Sequence, residues 1–267
     1  MKTLPDCETL LLELHRDVLQ VTLNRAHCRN AMSLQMVSEL RAVLGATADD
    51  AQVRAMVLSG AGGHFCAGGD IKDMAHARQQ GADGWRELNR AFGSLLEDAQ
   101  SLPQPLIVVL EGAVLGGGIG LACVSDIAVA HRQAQFGLPE TTLGLLPAQI
   151  APFLVRRIGL TQARCLALTA ARFDGEHAAR LGLVHFVERD QSSMAERLEQ
   201  VLDQVLRCAP QASRATKALL LATDNTPMAQ LLDQAAHAFS AAVHGPEGME
   251  GTLAFLQKRD PAWVPDR

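Results

Sequence analysis

The sequence predicts an α/β fold: a core of alternating strands and helices, followed by a helical C-terminal section. Three observations predict it. Apolar runs of strand length alternate with helical stripes as far as about residue 140. Two glycine-rich segments each follow a strand and open a helix. Beyond Pro147 the apolar residues recur mostly at helical spacing.

Taken in order, Val18 to Leu23 alternates at Leu19, Val21 and Leu23 and reads as a strand. Ser33 is a candidate N-cap for a helix whose stripe is Leu34, Val37, Leu40 and Leu44, expected to stop at Gly45. Val53 to Ser59 is a second strand, ended by the turn former Gly60-Ala61-Gly62-Gly63. A helix is expected from Trp85 to Ala99, with Leu88, Phe92, Leu95, Leu96 and Ala99 on one face. Pro105 introduces Leu106 to Leu110, a wholly apolar run suited to a strand covered on both sides. Gly116 to Gly120 follows, then a helical Leu121 to Val124 and a strand over Asp126 to Ala130. In the C-terminal part, Leu198, Val201, Leu202, Val205 and Leu206 form one amphipathic stripe, and Ala215 to Ala222 is a further helix. Gly245-Pro246 breaks the chain before a last helix near Gly251 to Lys258. The expected organisation is a core over 1–195 holding the site and a helical region over 196–267.

Composition narrows the function. The 267 residues are 48% hydrophobic and 20% charged, which suits a globular protein with a substantial core. A formal charge of −5 offers no electrostatic reason to bind nucleic acid or an anionic membrane, and neither is expected as a partner. The six cysteines are scattered without a CxxC pair, as free thiols in a reducing compartment would be. Met1 to Cys7 lacks the apolar core of a signal peptide, and no apolar run approaches the roughly 18–20 residues of a membrane span, so a cytoplasmic location is expected. Nine histidines show no HExxH spacing, and no metal is expected.

The chemistry resides in three short segments. Phe65-Cys66-Ala67-Gly68-Gly69-Asp70-Ile71-Lys72 and Gly116-Gly117-Gly118 lack bulky side chains at their centres. Such backbone lets N–H groups approach a ligand, and a helix N-terminus adds partial positive charge. Two converging N–H groups make an oxyanion hole; taken singly, a glycine triplet is more often a tight turn. The third segment, Phe136-Gly137-Leu138-Pro139-Glu140, supplies a carboxylate.

The order and spacing of these segments resemble the crotonase, or enoyl-CoA hydratase/isomerase, superfamily. The likeness runs from Leu23-Asn24-Arg25 and Asn30-Ala31-Met32 to Phe255-Leu256-Gln257-Lys258-Arg259. It implies a spiral of strand–strand–helix turns with a helical trimerisation region, assembled as a homotrimer or as a hexamer of two trimers. It implies an acyl-CoA substrate and no cofactor beyond the coenzyme A moiety of that substrate. By match of motif, the N–H groups of Gly69 and Gly117 would form the oxyanion hole around the thioester carbonyl. Ala67, Gly69, Asp70, Ile71 and Lys72 would lie on the coenzyme A stretch, with Ala67, Gly69 and Ile71 near the adenine. Gly117 would serve that binding too, and Lys258 would approach a nucleotide phosphate.

Family hydratases use two glutamates. Here Glu140 matches one, and Gly120 stands at the other position. Glu140 is therefore the expected general base, its pKa raised by burial. One base is also enough for an isomerase, which removes and returns the same proton. Gly144-Leu145-Leu146-Pro147-Ala148-Gln149-Ile150-Ala151-Pro152-Phe153 instead resembles the branch of the family that hydrates branched glutaconyl-CoA thioesters. The substrate expected from that resemblance is isohexenylglutaconyl-CoA, with 3-methylglutaconyl-CoA or an isomerisation as alternatives.

Such a substrate carries its own carboxylate. Gly120 is expected to make room for it and to avoid repulsion between like charges. Arg156 and Arg157 are candidates to pair with it, against the more ordinary roles of surface solvation or helix capping. Met74, Trp85, Leu88, Phe92, Leu143 and Phe153 are candidates to set the depth of the acyl pocket. Cys66 reads as a packing residue, His64 as a turn residue, and Asp70 and Asp126 as loop-ordering or capping groups.

Overall fold

The computed structural model describes residues 4–265. Strands β1 (Leu10–His15) and β2 (Val18–Leu23) form a hairpin across Arg16 and Asp17, whose φ values of 48° and 61° are those of a tight primed turn. β3 (Ala55–Gly60) lies parallel to β2. β4 (Leu106–Leu110), β6 (Ile127–His131) and β8 (Phe186–Glu188) extend the sheet in parallel, in the order β1-β2-β3-β4-β6-β8. A second, shorter ladder pairs β5 (Ala113–Leu115) with β7 (Gln135–Gly137). Isolated bridges Met32–Gly69, Cys66–Val114 and Phe136–Phe173 continue that ladder.

The chain therefore repeats one unit. It runs along a strand of the large sheet, touches the short ladder, and returns through a helix. β2 leads through Met32 into α1 (Leu34–Ala48), and β3 through Cys66 into α2 (Ile71–Gln79) and α3 (Gly81–Ser101). β4 leads through β5 into α4 (Gly117–Val124), and β6 through β7 into α5 (Ala151–Thr169). Phe173 and α6 (Gly175–Arg180) then lead to β8. This is the expected spiral of strand–strand–helix turns. α7 (Gln191–Arg207) runs across residue 195 and is followed by α8 (Pro210–Ala222), α9 (Met228–His244) and α10 (Pro246–Gln257).

Alternation along each strand splits the core in two. Leu19, Val21, Met56, Leu58, Leu106 and Val108 face the larger cluster beneath α1, α3 and α4. Val18, Ala55, Val57 and Ile107 face the other way and are covered by Val201, Leu202 and Leu206 of α7.

Several boundaries differ from the sequence reading. α1 does not stop at Gly45 but runs to Ala48, because Val43, Leu44 and Thr47 keep its buried face going. Burial there outweighs the roughly 1 kcal/mol that glycine costs inside a helix. Ser33 does cap α1, accepting the Met36 N–H at 3.2 Å. β3 begins at Ala55, two residues later than Val53. The last helix starts at Pro246 rather than after it, since proline at the first helical position loses no intrahelical bond. Lys258 is its left-handed cap, with φ 55°.

Candidate active site

Hydrogen bonding around the first glycine segment fixes which way its peptides point. The Met32 N–H donates to Gly68 O at 2.8 Å, and the Asp70 N–H donates to Met32 O at 3.0 Å. Peptides alternate along an extended chain, so the N–H of Gly69, between them, points to the opposite side. Gly68 has φ +103°, a conformation open to glycine and strained for other residues. The second glycine segment holds a comparable donor. Gly117 is the first residue of α4, and its N–H has no acceptor inside the helix. Among the described residues no acceptor takes the N–H of Gly69 or of Gly117.

Gly116 is where the parts meet. A Cβ placed there would stand 2.8 Å from Glu140 Oε1 and 3.6 Å from Gly68 Cα. Its φ of 48° and ψ of −110° also demand glycine. Glu140 sits in the short helical turn Pro139–Leu143, held from behind by the Leu145 N–H donating to Glu140 O at 2.9 Å. Glu140 Oε2 is buried and has no hydrogen-bond partner. Burial pushes the Glu140 carboxyl above the usual range, opposed in part by its own backbone N–H.

Gly69, Gly117 and Glu140 share the wall of one cavity of about 630 Å³. That lies within the roughly 300–1,000 Å³ of small-molecule sites. Met74, Trp85, Leu88 and Phe92 line it as expected; Leu143 and Phe153 do not. Met32, Val37 and the segment Gly144 to Ile150 also line it. Two unpaired donors and one buried, unpaired carboxylate thus face an apolar cleft, an arrangement able to polarise a carbonyl and move a proton beside it.

A sequence model of the enoyl-CoA hydratase/isomerase family matches residues 13–266. The chain belongs to the enoyl-CoA hydratase/isomerase family. It is 31% identical to mouse mitochondrial methylglutaconyl-CoA hydratase over 95% of this chain and 81% of that protein. Identity to the 2,3-dehydroadipyl-CoA hydratase of Escherichia coli K12 is 32%, over 94% of this chain and 97% of that protein. Among solved structures, Pseudomonas aeruginosa AtuE superposes with a TM-score of 0.96 at 67% identity, covering 97% of this chain and 100% of that one. An enoyl-CoA hydratase/isomerase from Marinobacter aquaeolei gives 0.95 at 54% identity with the same coverage of both chains. The protein is a hydro-lyase of the enoyl-CoA hydratase type.

Within this family member the position of the absent second glutamate is filled. A Cβ on Gly120 would lie 3.1 Å from Phe92 Cζ and 3.1 Å from Leu96 Cδ1. A Cβ on Gly117 would lie 3.2 Å from the same Phe92 ring atom. Gly120, expected to make room for substrate, is off the cavity wall and packs against Phe92, which lines it. The two arginines expected near a substrate carboxylate also go elsewhere. Arg157 donates to Leu183 O and to Ser125 O, each at 3.0 Å, tying α5 to the ends of neighbouring elements. Arg156 pairs with Asp224 at 3.5 Å on the surface. Neither lines the cavity.

Asp70 lines the cavity but is engaged. It caps α2 by accepting the Lys72 and Asp73 N–H groups and pairs with Arg25 at 2.7 Å. Burial pushes its carboxyl up, and those partners outweigh it, so Asp70 stays below the usual range. Ala67, Ile71, Lys72 and Lys258 lie outside the cavity wall, with Ile71 82% exposed. His64 Nδ1 accepts the Ala113 N–H at 3.0 Å, and burial pushes the Cys66 thiol to about 11, so both act in packing and turns. Among the described residues no helix is long and apolar enough to cross a membrane, and no cluster of three or more potential metal ligands occurs.

Sequence reasoning missed Arg86, Asn89 and Gln149 on the cavity wall. The signal was available for one of them. Asn89 follows Trp85 by four residues and precedes Phe92 by three, on the helix face already assigned to the pocket.

Proposed function

We propose that the enzyme hydrates the conjugated double bond of isohexenylglutaconyl-CoA, giving 3-hydroxy-3-isohexenylglutaryl-CoA, with Glu140 as its single acid–base residue. The observation that carries this reading is the buried, unpartnered Oε2 of Glu140 on the same cavity wall as the free N–H groups of Gly69 and Gly117.

The thioester oxygen accepts those two N–H groups, which draws electron density from C3. Glu140 takes a proton from water as the water oxygen bonds to C3. The π electrons move to an enolate held by the same donors. The carboxylic acid so formed then returns the proton to C2. One oxyanion donor is worth about 2.7–4 kcal/mol in such a site, and a positioned acid–base group about 10²–10⁴ in rate. A raised Glu140 pKa suits a group that must both accept and return a proton near neutrality.

Coenzyme A would lie along Ala67 to Lys72, where exposed Ile71 offers apolar surface to the adenine. Lys258 would meet a phosphate. The helices α8 to α10 would form the trimer surface, since Leu220, Met228, Leu232, Phe239, Phe255 and Leu256 are exposed apolar side chains there. The six cysteines stand as free thiols, in keeping with a cytoplasmic site of action.

The long apolar wall from Trp85 through Leu88 to Phe92 favours an extended branch over a methyl group. A second reading, 3-methylglutaconyl-CoA as substrate, draws on the name of the mouse relative. The test is kcat/KM on the two thioesters side by side, followed by loss of the conjugated enoyl-thioester absorbance. Preference for the isohexenyl compound supports the proposal, and preference for the methyl compound replaces it with the second reading. Hydration of neither sinks both.

A further inference from the structure

In an otherwise largely apolar cavity, Arg86, Asn89 and Gln149 bring N–H donors to the wall. Gln149 Nε2 donates to Asn89 Oδ1 at 2.9 Å. That bond uses the carbonyl of Asn89 and leaves its amide NH₂, together with the second N–H of Gln149, for another acceptor. Among the described residues neither meets a protein acceptor, and the pair stands at the solvent-exposed side of the cavity. The pair is also built in. A Cβ on Gly93 would lie 1.9 Å from Gln149 Oε1, so the glycine leaves room for this amide against α3 with its NH₂ turned toward Asn89.

The pair has a definite place relative to the reacting centre. Arg86, Asn89 and Phe92 follow one another at intervals of three along a face of α3. The Phe92 ring touches Gly117. Asn89 therefore stands about 4.5 Å along the helix axis from the residue beside the oxyanion donor. The thioester carbonyl and the distal carboxylate of a glutaconyl chain are separated by four carbon–carbon bonds, about 5 Å when extended. Arg86 lies one turn further out. It is the only cationic side chain on the wall among the described residues, paired only with Asp83 in an exposed ion pair of 2.9 Å. Such surface pairs are readily exchanged.

A carboxylate entering this cleft meets the negative Asp70 and Glu140 and must find hydrogen-bond donors elsewhere. We propose that the Asn89–Gln149 amide pair, backed by Arg86, holds the free carboxylate of the acyl chain and selects dicarboxylic over monocarboxylic thioesters. The inference rests on the glutaconyl reading of the substrate, and its test uses binding without turnover.

Dissociation constants of glutaryl-CoA and valeryl-CoA, equal in carbon count and unreactive toward hydration, are measured by calorimetry for wild type, Gln149→Glu and Arg86→Gln. Wild type binds glutaryl-CoA at least about tenfold more tightly, the worth of one charge-assisted hydrogen bond. Gln149→Glu keeps the shape, opposes the carboxylate with like charge and removes that preference. Arg86→Gln, at an exposed position, reduces it severalfold. The ratio of the two constants cancels any general loss of folded protein. No preference in wild type, or an unchanged ratio in both variants, overturns the inference. A carboxylate preference alongside failure to hydrate glutaconyl thioesters would instead count against the reaction proposed above and leave this site standing.

Discussion

Glu140 combines a buried, unpaired Oε2 with a pKa raised by burial, and both properties are measurable. Glu140→Gln keeps the shape and removes the base, so kcat falls by about 10²–10⁴. In wild type kcat/KM declines as pH falls through a value above the ordinary carboxylate range. Stability moves the opposite way. The folded state holds this proton more tightly than the unfolded chain, so the penalty for the buried charge is absent below the unfolded pKa and fully present above the folded one. Glu140→Gln therefore melts higher than wild type at neutral pH, and thermal scans show the difference vanishing toward acid. Gly120 gives a second prediction at this scale. Gly120→Glu must push Phe92 and Leu96 aside, which destabilises by about 1–3 kcal/mol on denaturant unfolding. Phe92→Ala in the same chain recovers part of that loss, by about 0.5–3 kcal/mol of coupling. The segments that hold Glu140, Gly69 and Gly117 were legible because they are local motifs, and the fold sets all three on one cavity wall. Phe92 as the occupant of the empty position was not, because that contact joins α3 to α4 across 28 residues of chain, counted from position 92 to 120.

At the scale of elements, a partly buried pair ties α8 to the sheet, beside the bonds from Arg214 to Asp50 O and Val53 O. Lys217 Nζ donates to Asp126 Oδ2 at 2.5 Å and to Gln104 O at 3.2 Å. Asp126 also accepts the Leu106 N–H at 2.7 Å, which places it between the starts of β4 and β6. Lys217→Met strands that carboxylate, at a cost toward the lower end of about 3–5 kcal/mol, measured by denaturant unfolding. Asp126 was expected to order a loop, and it does so for two strands at once. The elements that the sequence hid have physical reasons for being hidden. β1 carries three consecutive leucines, Leu10 buried and Leu11 exposed, so a run of like residues masks its alternation. α9 places Leu232 and Phe239 in solvent and buries Leu231, so its apolar residues do not trace one inward face of this chain. β2, β3, β4 and β6, with α1, α3 and α7, were readable because burial leaves a regular apolar pattern in each.

For the whole molecule, the exposed apolar side chains of α8 to α10 predict self-association. Sedimentation should give three or six times the chain mass. Phe239→Glu, at a position 72% exposed in the single chain, should shift that distribution toward smaller species if the trimer surface lies there. The spiral of strand–strand–helix turns explains why the site needs the entire core. It brings a donor after β3, a donor after β5 and a carboxylate after β7 to one point beside Gly116. The most direct test of the account is the mass of the product formed from isohexenylglutaconyl-CoA in water labelled with heavy oxygen. The account predicts the gain of one water with a single labelled oxygen, and loss of that product with Glu140→Gln. A product of unchanged mass with a displaced double bond would contradict it and make this single-glutamate site an isomerase.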